Sequence, residues 1–223
     1  MEFTFSNFTL PSESNEELDR LIQANSTVYH LAPKTIFCDI GEDLGGVYYI
    51  SKGRTSHYIV GRDGGEKLLY TLSTGWFFGE PATFLDQPST LRSRADMETT
   101  LYRLEYQDFH RLVDTSPLFR NAVLQDNSKK MLIMRHEIEN ITFCSYKERL
   151  TKLFYVAADR TELVDGMWYK QRVQYTQNDL SIVIGSSRIT VSKLLGELCE
   201  EGVIRILNRR VQVSAKVGKE IWP

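Results

Sequence analysis

Between Val28 and about Tyr106, short runs rich in β-branched and aromatic residues alternate with glycine. Residues 36–40 precede Gly41, residues 47–51 lead to Gly53, residues 55–60 to the stretch from Gly61 to Gly65, and residues 67–72 to Gly75. Strands repeated at such short intervals, with turn residues between them, predict an antiparallel all-β sandwich or barrel. Asp63, Gly64 and Gly65 suit a hairpin turn that needs positive φ.

After Pro117 the pattern becomes helical and runs to about Cys144 without glycine or a further proline. Leu124, Met131 and Ile138 fall seven apart, and Met134 and Ile141 form a second row three residues behind Met131 and Ile138. Together they make an a/d seam of nearly three heptads with Asn127 as its one polar d position, which predicts pairing with a second copy of the chain. The alternative is an amphipathic helix in a monomeric core. A second apolar set, Leu118, Phe119, Ala122, Val123, Leu132 and Ile133, lies off the seam and is expected to pack on the β-rich block.

Beyond Cys144 we expect a helix over 145–158, a polar turn at Asp165 and Gly166, a strand over 172–175, then two helices and a hairpin. Thr176 and Asp179 form a capping box that opens a short helix with Leu180, Val183 and Ile184 on its apolar face. Gly185 permits a tight turn, and Ser186 or Ser187 caps a second helix from Arg188 to Glu200. Val191, Leu194, Leu195 and Leu198 of that helix face inward, leaving Arg188, Ile189, Thr190, Ser192 and Lys193 for a nucleic-acid groove. Two β-rich runs about Asn208 and Arg209 read as a wing, where Arg205, Arg209 and Arg210 are candidates for phosphate contacts.

Composition sharpens this picture at a few points. A length of 223 residues fits two domains. The formal net charge of −2 requires that any nucleic-acid partner be met by a local patch. From Gly185 to Lys216 there are six Lys and Arg against three Glu, which supplies one. The opening residues predict no signal peptide, and no eighteen-residue apolar run predicts a membrane span, so a cytoplasmic protein with no membrane partner is expected. Cys38, Cys144 and Cys199 match neither a disulfide framework nor a zinc spacing, and three free thiols are expected, with a redox role for Cys38 or Cys144 left open. No HExxH, GxSxG or phosphate-loop pattern occurs, so no catalysis is expected.

Tyr48, Tyr49 and Ile50 with Gly53, the run 63–70, Gly79 with Glu80, Leu153 to Tyr155, and above all the run 185–195 carry a resemblance. Over roughly residues 28–215 the chain resembles the cyclic-AMP receptor and fumarate-nitrate regulator superfamily, and within it the CprK-type halorespiration regulators. That resemblance implies an α+β chain: an effector-sensing β-roll of cupin-like, cyclic-nucleotide-binding type over residues 1–115, a long central dimerisation helix over 116–143, and a winged helix-turn-helix over 144–223. It implies a cytoplasmic homodimeric regulator that binds double-stranded DNA in response to a small organic effector, with RNA polymerase as a partner if it activates.

Members that hold cyclic AMP place an Arg-Ser pair about ten residues past the Gly-Glu, whereas Pro88, Ser89, Thr90 and Leu91 stand in that region, so no cyclic AMP is expected. Members with an iron–sulfur cluster need four cysteines, mostly near the N-terminus; none precedes Cys38, so no cluster is expected either. In the CprK-like branch a halogenated phenol is held with its phenolate on a helix lysine, and Lys130 falls at that position. The competing assignment for Lys130 is a solvated lysine beside the dimer seam. Tyr70, Thr71, Gly79, Glu80 and Asn127 complete the implied effector site, although Thr71, Glu80 and Asn127 depart from the branch's tyrosine, basic residue and aromatic. Those departures leave room for another aromatic or a carboxylate ligand, and a regulator of this fold sensing redox state or haem through His30, His57, His110 or His136 is the alternative. Many members carry a glutamate where Ile189 stands; an apolar side chain touches a thymine methyl and does not read cytosine, so an A·T pair is expected at that step of an inverted-repeat operator.

Overall fold

The computed structural model describes residues 15–217. The opening residues, on which the expectation of no signal peptide rests, lie outside that range. The chain divides into two compact units, with the division between Arg135 and His136 inside one helix.

In the first unit α1 (Glu16–Ala24) is capped by Asn15, whose side chain accepts from the Glu17 and Leu18 amides. There follow β1 (Thr27–Leu31), β2 (Ile36–Cys38), β3 (Gly46–Lys52), β4 (Arg54–Val60), β5 (Glu66–Ser73), β6 (Phe77–Phe78), α2 (Glu80–Leu85), β7 (Arg92–Ala95), β8 (Thr99–Glu105), α3 (Tyr106–Thr115) and α4 (Pro117–Phe143), whose last turns from His136 belong to the other unit. The strands form two antiparallel sheets, ordered β1-β8-β3-β6 and β2-β7-β4-β5. Glu66 pairs with Val60 across the β4–β5 hairpin, and Gly64 takes the positive φ at its tip, 80°. Gly46 is required by close approach: a Cβ there would stand 2.0 Å from the Leu104 carbonyl oxygen.

Alternation along β3 and β8 sends Val47, Tyr49 and Leu104 to one face, where they pack with Phe77, Phe109, Phe119 and Val123. Ile50, Leu72, Trp76, Phe78, Leu101 and Ile133 form a second buried cluster. Phe119, Val123 and Ile133 thereby fasten α4 to the sheets, at about 1.5–3 kcal/mol for each fully buried side chain. Leu118 and Ala122 pack against the same core, but Leu132, expected in this set, is 40% exposed. It lies one position before Ile133, about 100° round the helix, on the side of α4 that turns away from the sheets at this level.

In the second unit α5 (Tyr146–Val156) opens on Ser145, which makes a reciprocal capping box with Glu148. Then come β9 (Ala158–Val164), β10 (Trp168–Gln171), α6 (Gln177–Ile184), α7 (Arg188–Glu200), β11 (Ile204–Leu207) and β12 (Arg210–Ser214). The sheet order is β11-β12-β10-β9. The strand expected over 172–175 is not formed. Pairing on β10 ends at Gln171 opposite Ala158, and the next residues carry the chain to the Thr176 cap. No helix among the described residues is long and apolar enough to cross a membrane.

Candidate nucleic-acid interface and effector pocket

Local chemistry sets the helix-turn-helix. The Asp179 carboxylate accepts from the Thr176 amide and hydroxyl at 2.8 Å each, and the Asp179 amide donates back to Thr176 Oγ1 at 3.1 Å. Gly185 ends α6 in the left-handed region, φ 72° and ψ 44°, where a side chain would be strained. Ser187 is the cap of α7, with its hydroxyl accepting from the Thr190 amide at 3.0 Å. Val191, Leu195 and Leu198 are buried and Leu194 half-buried, while Arg188, Ile189, Ser192 and Lys193 are exposed. Ile189 is 83% exposed at the N-terminal turn of the helix, and Ser186 and Thr190 flank it half-buried.

Two residues that sequence reasoning passed over hold this module in place. Arg149 donates to the Ile184 carbonyl at 2.8 Å, satisfying the C-terminal end of α6, and its guanidinium lies 4.6 Å from the Tyr146 ring. Lys147 bridges to Glu201, beyond the far end of α7. Both are basic residues in the first turn of α5, but their partners lie more than thirty positions on, so no local spacing announces them.

The wing is the β11–β12 hairpin, in which Leu207 pairs with Arg210 and the two tip residues, Asn208 and Arg209, both have positive φ, 49° and 62°. Arg209 and Arg210 are exposed. Arg205 is not available in the way expected: it donates to Asp165 at 2.6 Å and Gln212 at 2.7 Å and stacks 4.9 Å from the Trp168 ring. It braces the sheet.

On the β-roll, Lys130 is buried, which excludes the solvated assignment. Its ammonium donates to Glu80 Oε1 at 2.6 Å, Asp126 Oδ2 at 2.7 Å and the Phe77 carbonyl at 2.5 Å. Asp126 also accepts from the Phe77 amide at 3.3 Å. Two carboxylates share one cation in a dry site, so burial raises the Asp126 carboxyl to about 7, while both carboxylates hold Lys130 protonated. Glu80 Oε2 is buried without a partner among the described residues.

Beside this cluster a pocket of 160 Å³ opens among His57, Tyr70, Phe78, Gly79, Ser89 and Ser93, with Cys38, Leu44 and Leu85 also on its wall. The His57 ring lies 5.1 Å from that of Tyr70 and 5.2 Å from that of Phe78. Its nitrogens contact Ser93 Oγ at 2.8 Å and Thr55 Oγ1 at 2.9 Å, and burial depresses it to about 3, so it is neutral. Burial pushes the Tyr70 hydroxyl up to about 12 and holds Cys38 as the thiol. Of the expected effector residues the pocket wall includes Tyr70 and Gly79. Thr71 is turned to Ser56 at 3.3 Å, Asn127 donates to the Val123 carbonyl at 3.1 Å, and Lys130 and Glu80 face each other rather than this space.

Five of the expected seam residues, Leu124, Met131, Met134, Ile138 and Ile141, are exposed along α4, Met131 at 71%. Asn127 is half-buried among them.

Comparison with known proteins agrees with both halves. Residues 28–116 match the cyclic nucleotide-binding domain and residues 148–215 the Crp-like helix-turn-helix domain. The chain is 23% identical over 192 residues to the cAMP-activated global transcriptional regulator CRP of Pasteurella multocida, covering 83% of this chain and 89% of that one. In fold it is similar to the c-di-GMP responsive global regulator CLP of Xanthomonas campestris, with a TM-score of 0.79 at 18% identity over 89% of this chain and 99% of that one. It is similar also to a cysteine-to-serine variant of CprK complexed with OCPA, with a TM-score of 0.69 at 17% identity over 92% and 94% of the two chains, a likeness of fold that does not by itself single out the CprK branch. With an effector-binding domain of the cyclic nucleotide-binding type followed by a Crp-like helix-turn-helix, the chain belongs to the Crp/Fnr family of DNA-binding transcription regulators.

Proposed function

We propose that the chain works as a homodimer on an inverted-repeat, A·T-rich operator and that a small organic effector in the β-roll sets its operator affinity. The observation that carries the reading is α7, with its apolar side buried and Arg188, Ile189, Ser192 and Lys193 exposed from its N-terminal turns. Ile189 favours a thymine methyl, while Arg188 and Lys193 serve guanine or phosphate and Ser187 and Ser192 offer short hydrogen bonds. Arg209 and Arg210 add sequence-independent phosphate attraction. The exposed apolar row on α4 supports pairing, and a two-fold dimer asks for half-sites about one helical turn apart.

Coupling between effector and seam runs through residues 77–80. Phe78 and Gly79 line the pocket, while Phe77 and Glu80 on either side hold Lys130, the residue preceding Met131 of the seam. A ligand that shifts this segment shifts α4, and it changes operator affinity only by as much as it prefers one arrangement over the other. The effector class implied by the resemblance is a halogenated phenol, and RNA polymerase is the further partner if the outcome is activation.

The test is selection of bound sequences from random duplex DNA, with and without halogenated phenols, followed by gel shift of the Arg188→Ala, Lys193→Ala double variant. We expect a palindromic A·T-rich consensus and a loss of affinity in the variant. Unchanged DNA affinity in the folded variant refutes the reading and favours a module that regulates a protein partner.

A further inference from the structure

The pocket's chemistry says what kind of effector it can hold. Among the described residues no charged side chain lines it. Leu91 and Ser93 face it, and the alternation along β7 turns Arg92 and Arg94 away. Both arginines are engaged elsewhere. Arg92 donates to Asp39 at 2.8 and 3.0 Å and to Glu66 at 2.9 Å; Arg94 donates to the Tyr58 hydroxyl and stacks 4.6 Å from its ring. Lys130 is already outnumbered by its partners Glu80 and Asp126. An anion entering here would give up part of its water and meet no counter-charge on the described lining, which is unfavourable for an ion.

Size narrows the choice further. An enclosed apolar cavity of about 150 Å³ admits a benzene molecule, and this pocket, open to solvent past Pro88 and Thr90, offers a comparable 160 Å³. That accommodates a single ring, and the remainder of any larger ligand would lie outside, past the exposed rim at Pro88 and Thr90. Three rings, His57, Tyr70 and Phe78, offer faces and edges to an aromatic guest. Both His57 nitrogens are engaged, whereas the Tyr70 hydroxyl has no hydrogen-bond partner among the described residues.

We infer that the β-roll pocket takes an uncharged molecule of one ring, stacked among His57, Tyr70 and Phe78, with one hydrogen-bonding group directed to the Tyr70 hydroxyl. The inference rests on the effector reading above and deepens it: a phenol is bound in its protonated form, and Lys130 is a strut between α4 and the 77–80 segment rather than the partner of a phenolate.

Titration calorimetry of the full chain at neutral pH tests this with phenol, benzyl alcohol and benzamide against benzoate, phenyl phosphate and cyclic AMP. Phenol ionises near tyrosine, at about 10, and is therefore neutral under these conditions. The three uncharged probes are expected to bind, and each anion to bind at least tenfold more weakly. Tyr70→Phe should weaken phenol severalfold. Thr90→Arg, on the exposed rim, should gain benzoate while keeping phenol. Benzoate or cyclic AMP binding the unaltered chain as tightly as phenol overturns the inference, as does the failure of all three uncharged probes at millimolar concentration. Operator affinity is measured separately: phenol binding that leaves it unchanged supports the pocket assignment and counts against effector coupling.

Discussion

Replacing Lys130 by methionine keeps most of the side chain's bulk and removes its charge. Glu80 and Asp126, 1% and 7% exposed in their side chains, then face each other without a cation, and the Phe77 carbonyl loses a donor. Removing one member of a buried ion group typically costs about 3–5 kcal/mol. For a chain of this length each kcal/mol moves the midpoint by about 2–4 °C, so the first unit should melt roughly 6–20 °C lower. Protons relieve the two carboxylates, so the deficit should shrink from about pH 7 to about pH 5. Urea unfolding followed by tryptophan fluorescence reads the effect, because Trp76 is buried in the same unit. The triple variant Lys130→Met, Glu80→Gln, Asp126→Asn, which removes the whole charged group, should recover much of the loss. A single variant within 1 kcal/mol of the parent at neutral pH, or one whose deficit does not change with pH, refutes this account of the cluster.

Other outcomes follow from the same geometry. The Asp126 carboxyl is raised from 3.8 to about 7 in the folded state, so its contribution is complete below about pH 4 and is lost as pH rises through about 7; Asp126→Asn should flatten that decline in denaturation series. His57 has the opposite sign, being lowered from 6.5 to about 3, and the acid-side loss of stability below pH 6.5 should survive in that variant. Ile189→Glu, at a position 83% exposed, should fold as the parent does and exchange thymine for cytosine preference in selected operators, by about 1–3 kcal/mol per contact made twice. Met131→Asp, at 71% exposure, should yield folded monomer by sedimentation and lose operator affinity; a dimer of parental stability would remove the seam from the reading.

The helix-turn-helix was legible because its determinants are local: a capping box, a glycine and a serine cap lie within a dozen residues of one another. The glycine-punctuated strands were legible for the same reason. Strands β7 and β9 were not, because Ser93 and Ala95 fill inward positions with small residues and β9 is mostly exposed and polar. Strength of β-propensity at Val173 and Tyr175 drew an expected strand where the sheet had already ended. Lys130 illustrates the divide within one site. Asp126 stands one helical turn before it, a local spacing that sequence reasoning passed over, whereas Glu80 is fifty residues away and only the fold brings it to 2.6 Å. Without that contact Lys130 looked available to a ligand.

The wing tip places two side-chain-bearing residues where backbone sterics favour glycine. Asparagine tolerates that region at little cost, but Arg209 at φ 62° carries strain of about 1–2 kcal/mol that an Asn-Gly turn would avoid. Glycine in its place would tighten the hairpin and take a guanidinium from the outermost point of the module. If Arg209 holds a phosphate as proposed, thermal robustness and that grip pull in opposite directions at one residue, and selecting this protein for heat tolerance alone should erode its hold on duplex DNA.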